Sequence, residues 1–161
     1  MLCTINTDAS FHTRFKVGAF AFWAVSNDFR ITKAGYLRNL CVNPDEAEMK
    51  CIINAVSTVL SSNKNISKLI INTDSLNSKA VFERDFEHIK KYNLSRWKNL
   101  RGIFNKTIND KSKRKISIEF RHVKAHTNNT DARSYVNDWC DKNAKIYLWK
   151  RINHLKKQGK I

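Results

Sequence analysis

The chain has 161 residues, 42% hydrophobic and 11% aromatic, with four Gly and one Pro, a composition that suits one folded domain (1–161) with a sizeable core and excludes a disordered chain. No apolar run is long enough to span a bilayer and no signal-peptide core opens the sequence, so a cytoplasmic protein without a membrane partner is expected. The formal net charge of +16 points instead to a polyanionic partner. Cys3, Cys41, Cys51 and Cys140 are scattered, with no Cys-x-x-Cys pair, and read as reduced core thiols and not as a zinc site or a disulfide framework.

In chain order, Thr4-Ile5-Asn6-Thr7-Asp8-Ala9-Ser10 reads as a buried strand that ends on a carboxylate. Cys3, Ile5 and Thr7 share one face; Leu2, Thr4, Asn6 and Asp8 share the other. Val17 to Val25 reads as a second strand and Arg30 to Cys41 as a third, with short turns that favour an antiparallel meander. Asn43-Pro44-Asp45-Glu46 is a helix start: Asn43 suits the cap, Pro44 the first helical position, and Glu46 completes a capping-box pattern. That helix buries Cys51, Ile52, Ala55, Val56, Val59 and Leu60 and ends at Ser61-Ser62-Asn63. Lys68 to Thr73 is a fourth strand, followed by a helix from about Ser75 to Lys91. Ser95 caps another helix, with Trp97, Leu100, Ile103, Phe104 and Ile108 on its apolar face. A basic loop leads to a fifth strand carrying Ile116, Ile118, Phe120 and His122, and a polar loop, Lys124 to Thr130, leads to a long helix from about Ala132 to Leu155. Strands first in a meander and then separated by helices predict a mixed sheet covered by helices.

With 14 acidic residues against 30 Lys and Arg, the position of each acid is informative. The phrase Asn6-Thr7-Asp8 recurs as Asn72-Thr73-Asp74, after the apolar run Leu69-Ile70-Ile71. If the two strands are neighbours, their carboxylates converge, and a converging pair needs a cation or a shared proton. Taken singly, Asp74 is equally an N-cap. Glu48 lies one turn before Cys51 and Ile52, so it projects from the face that packs on the sheet, where a carboxylate is costly unless paired or metal-bound. Helix phase puts Asp141 at the edge of the last helix's apolar stripe and Asp138 farther round. His126 sits in the polar loop after the fifth strand, a position that also suits an ordinary surface histidine. Asp8, Glu48, Asp74 and Asp141 can thus be drawn to one end of one sheet. Hard oxygen donors without a Cys/His cluster favour Mg²⁺, with Mn²⁺ as a substitute, over zinc. In a chain this basic, such a cluster makes sense if two ions bridge it to phosphate oxygens.

Thr7-Asp8-Ala9-Ser10, Glu48-Met49-Lys50-Cys51 with Ala55, Thr73-Asp74-Ser75, Val123-Lys124-Ala125-His126 and Asn137 to Ala144 occur in an order that resembles the type 1 ribonuclease H family. The resemblance implies an α/β fold with a mixed five-stranded sheet, the first three strands antiparallel and the last two parallel to the first. It implies Mg²⁺-dependent hydrolysis of the RNA strand of an RNA/DNA hybrid, leaving 5′-phosphate and 3′-hydroxyl ends. Asp8, Glu48, Asp74 and Asp141 match the family's metal-binding carboxylates, and His126 matches its mobile-loop histidine. Substrate contacts are then expected from Ser10, Asn43, Ser75 and Asn137, and phosphate contacts from Lys111, Lys113, Arg114 and Lys115. A monomer is expected. The chain departs from the family where Asn43-Pro44-Asp45-Glu46 replaces a polar run and where the basic handle between the middle helices is reduced. Two rivals stay open: a DNA nuclease or junction resolvase of the same fold, and a non-catalytic binder of hybrid or duplex RNA.

Overall fold

A computed structural model of the chain describes residues 1–63, 65–83, 93–112, 114–123 and 132–161. Five strands, β1 (Leu2–His12), β2 (Val17–Val25), β3 (Arg30–Tyr36), β4 (Lys68–Thr73) and β5 (Ser117–His122), form one sheet in the order β3-β2-β1-β4-β5. The first three are antiparallel neighbours, as the short turns predict, and β4 and β5 run parallel to β1, as the resemblance implies. The helices are α1 (Pro44–Ser62), α2 (Leu76–Phe82), α3 (Leu94–Lys111) and α4 (Ala132–Lys157). None among the described residues is long and apolar enough to cross a membrane.

Strand alternation sorts the core into two layers. Cys3, Ile5, Phe20 and Phe22 look to one side, where they meet Ile52, Val56, Val59, Trp97, Leu100 and Phe104 of α1 and α3. Val17, Ala19 and Ala21 look to the other and meet α4 through Cys140, Ala144, Leu148, Ile152 and Leu155. These α4 positions recur every three or four residues, the period of a single buried stripe.

Several boundaries differ from the sequence expectation, each for a visible reason. The first strand does not end at its carboxylate. Its pairing with β4 stops at Asn6, but its pairing with β2 continues to His12. The third strand ends at Tyr36, because Leu37 N turns to donate to the Gly18 carbonyl (2.9 Å) and Cys41 N to that of Lys16 (2.8 Å). Gly18 makes room for this turn: a Cβ would lie 2.9 Å from Leu37 Cδ1 and 3.1 Å from Cys41 Sγ, and those side chains would have to shift. Helix α2 is capped by Ser75, whose Oγ accepts from Ser78 N (3.1 Å), so Asp74 is spared that role. The helix ends at Phe82, which stacks on Phe104 at 4.5 Å; the remainder of the expected Ser75–Lys91 helix lies outside the described residues from 84 on. Helix α3 starts at Leu94 without a side-chain cap, so Ser95 lies inside it, and Ile103 is 44% exposed instead of packed.

Candidate active site

Parallel pairing of β1 with β4 puts the two echoed phrases side by side, with Asn6 opposite Asn72. Each position of the phrase then does one thing twice. The asparagines join each other, Asn72 Nδ2 donating to Asn6 Oδ1 at 3.0 Å. The threonines both donate to one oxygen, Glu48 Oε1, at 2.9 Å from Thr7 and 3.0 Å from Thr73. The aspartates converge with Glu48: Asp8, Glu48 and Asp74 each offer a carboxylate oxygen within 4.8 Å of the others.

Local structure explains why Glu48 is there. Asn43 Oδ1 accepts from Glu46 N (2.9 Å) and starts α1 with Pro44 at its first turn. Two residues beyond Glu46 the helix points Glu48 into the gap where β4 has ended and β1 continues. Glu48 is 4% exposed. Main-chain carbonyls of β1 are met from both sides by buried thiols: Cys51 Sγ of α1 lies 3.4 Å from the Asp8 oxygen, and Cys140 Sγ of α4 lies 3.7 Å from that of Asn6.

The electrostatics at Asp8 and Glu48 are those of crowded, buried carboxylates. Burial, then the charges of Glu48, Asp74 and Asp141, push Asp8 up to about 9. Burial and Asp74 push Glu48 up to about 7, against the lowering effect of the two threonine hydroxyls. No Lys or Arg among the described residues pairs with Asp8 or Glu48. Three hard oxygen donors, with Asp8 and Glu48 raised in proton affinity and no nitrogen or sulfur donor among them, fit a divalent ion of the Mg²⁺ or Mn²⁺ type.

Asp141 acts on Asp8 from α4 but is not one of the three converging groups; its Oδ2 is held by Lys145 Nζ at 3.0 Å, and its side chain is 31% exposed. Asp138 is exposed, in keeping with its helix phase. Ser10 follows Asp8 on the same face of β1, Ser75 begins α2 next to Asp74, and Asn137 lies one turn before Asp141 on α4. Asn43 is engaged in capping. His126 and Lys113 lie outside the described residues.

Of the basic loop, Arg114 and Lys115 are not brought to this site. Ser117 pairs with Lys68 at the start of β4, whereas Asp74 follows the end of that strand. Six residues of strand separate Arg114 and Lys115 from the carboxylates by about 20 Å, at the opposite end of the strands. Sequence reasoning also missed the threonines; the repeated Asn-Thr-Asp phrase was the signal that could have found them.

His122 Nε2 stands 3.2 Å from the Asp74 carbonyl oxygen and ties β5 to the site. Comparison with solved structures finds LC11-RNase H1 in complex with an RNA/DNA hybrid (TM-score 0.65, 10% identity, covering 93% of this chain and 99% of that one). RNase H1 from the halophilic archaeon Halobacterium salinarum NRC-1 gives TM-score 0.65 at 14% identity, with 93% and 99% covered. The N-terminal RNase H domain of rv2228c from Mycobacterium tuberculosis gives 0.64 at 11%, with 95% and 97% covered. At these identities the likeness is one of fold. No curated protein sequence matches the chain. The RNase H family profile matches residues 2–148, nearly the whole length, a span that includes both echoed strands, Glu48 and Asp141. The chain therefore belongs to the RNase H family of metal-dependent ribonucleases.

Proposed function

We propose that this protein hydrolyses the RNA strand of RNA/DNA hybrids with two Mg²⁺ ions, leaving 5′-phosphate and 3′-hydroxyl ends. The observation that carries the reading is the convergence of Asp8, Glu48 and Asp74 in a chain of net charge +16, with no Lys or Arg among the described residues paired to Asp8 or Glu48. A binder of polyanions gains nothing from an acidic cluster; an enzyme that bridges the cluster to phosphate through cations does. A solved relative of the same fold bound to an RNA/DNA hybrid supports the substrate class.

Asp8, Glu48 and Asp74 hold the ions, with Asp141 completing the set from α4. When bound, the ions supply the Lewis acidity that makes water a nucleophile at neutral pH and offset the charge of the phosphate under attack. Thr7 and Thr73 fix the orientation of the Glu48 carboxylate, the kind of outer support that keeps a ligand oxygen aimed. The edge of β1 beyond Asn6, free of β4, offers main-chain groups near Ser10 to the 2′-hydroxyls of the RNA strand, and Asn43, Ser75 and Asn137 line the approach. His126 assists proton transfer or product release.

The test is a matched set of RNA/DNA, RNA/RNA, DNA/DNA and four-way-junction substrates, each with Mg²⁺ and with chelator. Cleavage of RNA only when it is paired with DNA, and only with Mg²⁺, is expected. Faster cleavage of the junction would replace this reading with that of a resolvase.

A further inference from the structure

The family match ends at residue 148, but α4 continues to Lys157. This last part of α4 packs beside the turn between β1 and β2, and together they build an aromatic and basic surface. His12 stacks on Phe15 at 4.7 Å and meets Trp149 edge-on at 5.7 Å and 82°. Arg14 and Lys156 both lie over the Phe15 ring, at 5.4 and 5.3 Å. Lys150 lies over Tyr147 at 4.9 Å. The turn itself is held firmly: Lys16 adopts φ 59°, its N donates to the His12 carbonyl at 2.8 Å, and Phe15 N donates to His12 Nδ1 at 3.2 Å. Trp149 is 52% exposed on this rigid base.

The surface carries one sign of charge. There is no acid between Ala9 and Asn27, nor after Asp141. Its position relative to the carboxylates is set by two separate elements. His12 follows Asp8 by four residues on the same face of β1, about 13 Å along the strand. Trp149 follows Asp141 by eight residues of α4, about 12 Å along the helix. Both lead in one direction to one place, about four stacked nucleotides from the carboxylates at roughly 3.4 Å each.

We propose that His12, Phe15 and Trp149, with Arg14, Lys150 and Lys156 around them, form a platform for single-stranded RNA that continues from the hybrid beyond the cleavage site. An open indole next to rings that carry Arg14, Lys156 and Lys150 suits an unpaired base and its phosphates, because a base offers its ring face only when it is out of a duplex. A paired strand would use the cations and leave the indole in water. The platform rests on the proposed hybrid substrate, and it makes the enzyme favour hybrids at the junction with single-stranded RNA.

The experiment measures binding by fluorescence anisotropy in chelator. It compares a short blunt hybrid with the same hybrid carrying a single-stranded RNA extension on its 5′ or its 3′ end. The parent should bind one extended form at least about fivefold more tightly than the blunt one, the gain of stacking one base. Trp149→Ala should erase that preference, Trp149→Phe should keep most of it, and Lys156→Ala should reduce it. With Mg²⁺, the parent should cut the preferred substrate about four nucleotides from the junction, a register that Trp149→Ala should lose. Equal binding of blunt and extended hybrids by the parent would overturn the proposal. So would a Trp149→Ala loss of the same size on both, which would mark Trp149 as structural, or an equal gain from any acidic polymer. If extensions are preferred through Trp149 but no hybrid is cleaved, the proposed function fails while the platform stands. If hybrids are cleaved without regard to extensions, the platform alone fails.

Discussion

Glu46 and Glu48 stand two residues apart on α1 and are both buried, 1% and 4% exposed. Their surroundings are opposite. Glu46 faces α3 and is met by two cations, Arg96 Nη1 at 2.8 Å and Lys50 Nζ at 3.1 Å. Glu48 faces the sheet and is met by two threonine hydroxyls and two further aspartates. Two residues on a helix turn the side chain by about 200°, so one helical turn serves both sides. A buried carboxylate that serves the fold comes with its counter-charges from the same chain. One that comes with more carboxylates is completed from outside, and that difference separates the joint between α1 and α3 from the site.

The largest expected effect lies on activity. Glu48→Gln, like Asp74→Asn, should lower single-turnover cleavage of a hybrid roughly 10³-fold, about 4 kcal/mol in the barrier. Glu46→Gln should change it little, since its partners are Lys50 and Arg96. On α4 the same contrast is drawn between Asp141→Asn, which should be severe, and Asp138→Asn, which should be mild. A more damaging Asp138→Asn would mean that α4 presents a different face to the site.

Next come the hydroxyls that aim Glu48. Thr7→Val with Thr73→Val removes both donors while keeping shape, and should weaken divalent-ion binding by about 10–100-fold. Isothermal titration with Mg²⁺ or Mn²⁺ measures it; an unchanged affinity would show that Glu48 needs no support.

The two glutamates should also move stability in opposite directions. Glu46→Gln strips Arg96 and Lys50 of a partner and should cost about 1–3 kcal/mol. Glu48→Gln and Asp8→Asn remove a carboxyl that the crowded site makes costly to ionise, and should raise the melting temperature of the metal-free protein at neutral pH by a few degrees, about 1–2 kcal/mol. The pH dependence carries the same sign. A carboxyl raised in the folded state binds its proton more tightly there than in the unfolded chain. Stability in chelator should therefore fall as pH rises from the ordinary carboxylate range, levelling near 7 for Glu48 and near 9 for Asp8. Mg²⁺ must displace those protons, so its stabilising effect should grow with pH over the same window. A melting temperature in chelator that stays flat between about 7 and 9, with no change in slope for Asp8→Asn, would count against the crowding.

The smallest effect is expected at the sheet's other end. Replacing Arg114 and Lys115 by Ala should leave the salt dependence of hybrid binding almost unchanged, because these residues lie about 20 Å from the carboxylates. A slope reduced by about one per residue would show that the substrate reaches that far.

The antiparallel meander, the mixed sheet and the convergence of Asp8, Glu48 and Asp74 were legible because they rest on local signals: short turns, an echoed phrase, a capped helix start and a helical phase. The parts that were not legible depend on partners distant in sequence. Glu46 reads as half of a capping box, and only the fold reveals Arg96, fifty residues on, as its partner. The basic loop reads as a phosphate tracker because charge is visible in a sequence, while the end of the sheet it occupies is not. Asp74 reads as a cap because the competing acceptor, Ser75, is its neighbour and equally suited. The aromatic and basic surface is invisible for the same reason: His12 and Trp149 are far apart in the chain and ordinary one at a time.

The thiols on either side of β1 give the molecule a built-in clock. Cys51 and Cys140 are 0% and 1% exposed, one beneath α1 and the other beneath α4. An alkylating reagent reaches Cys51 only when α1 lifts from the strand and Cys140 only when α4 does, so the two labelling rates time the opening of the two layers separately. A divalent ion bridging β1, β4 and α1 should slow the first clock more than the second.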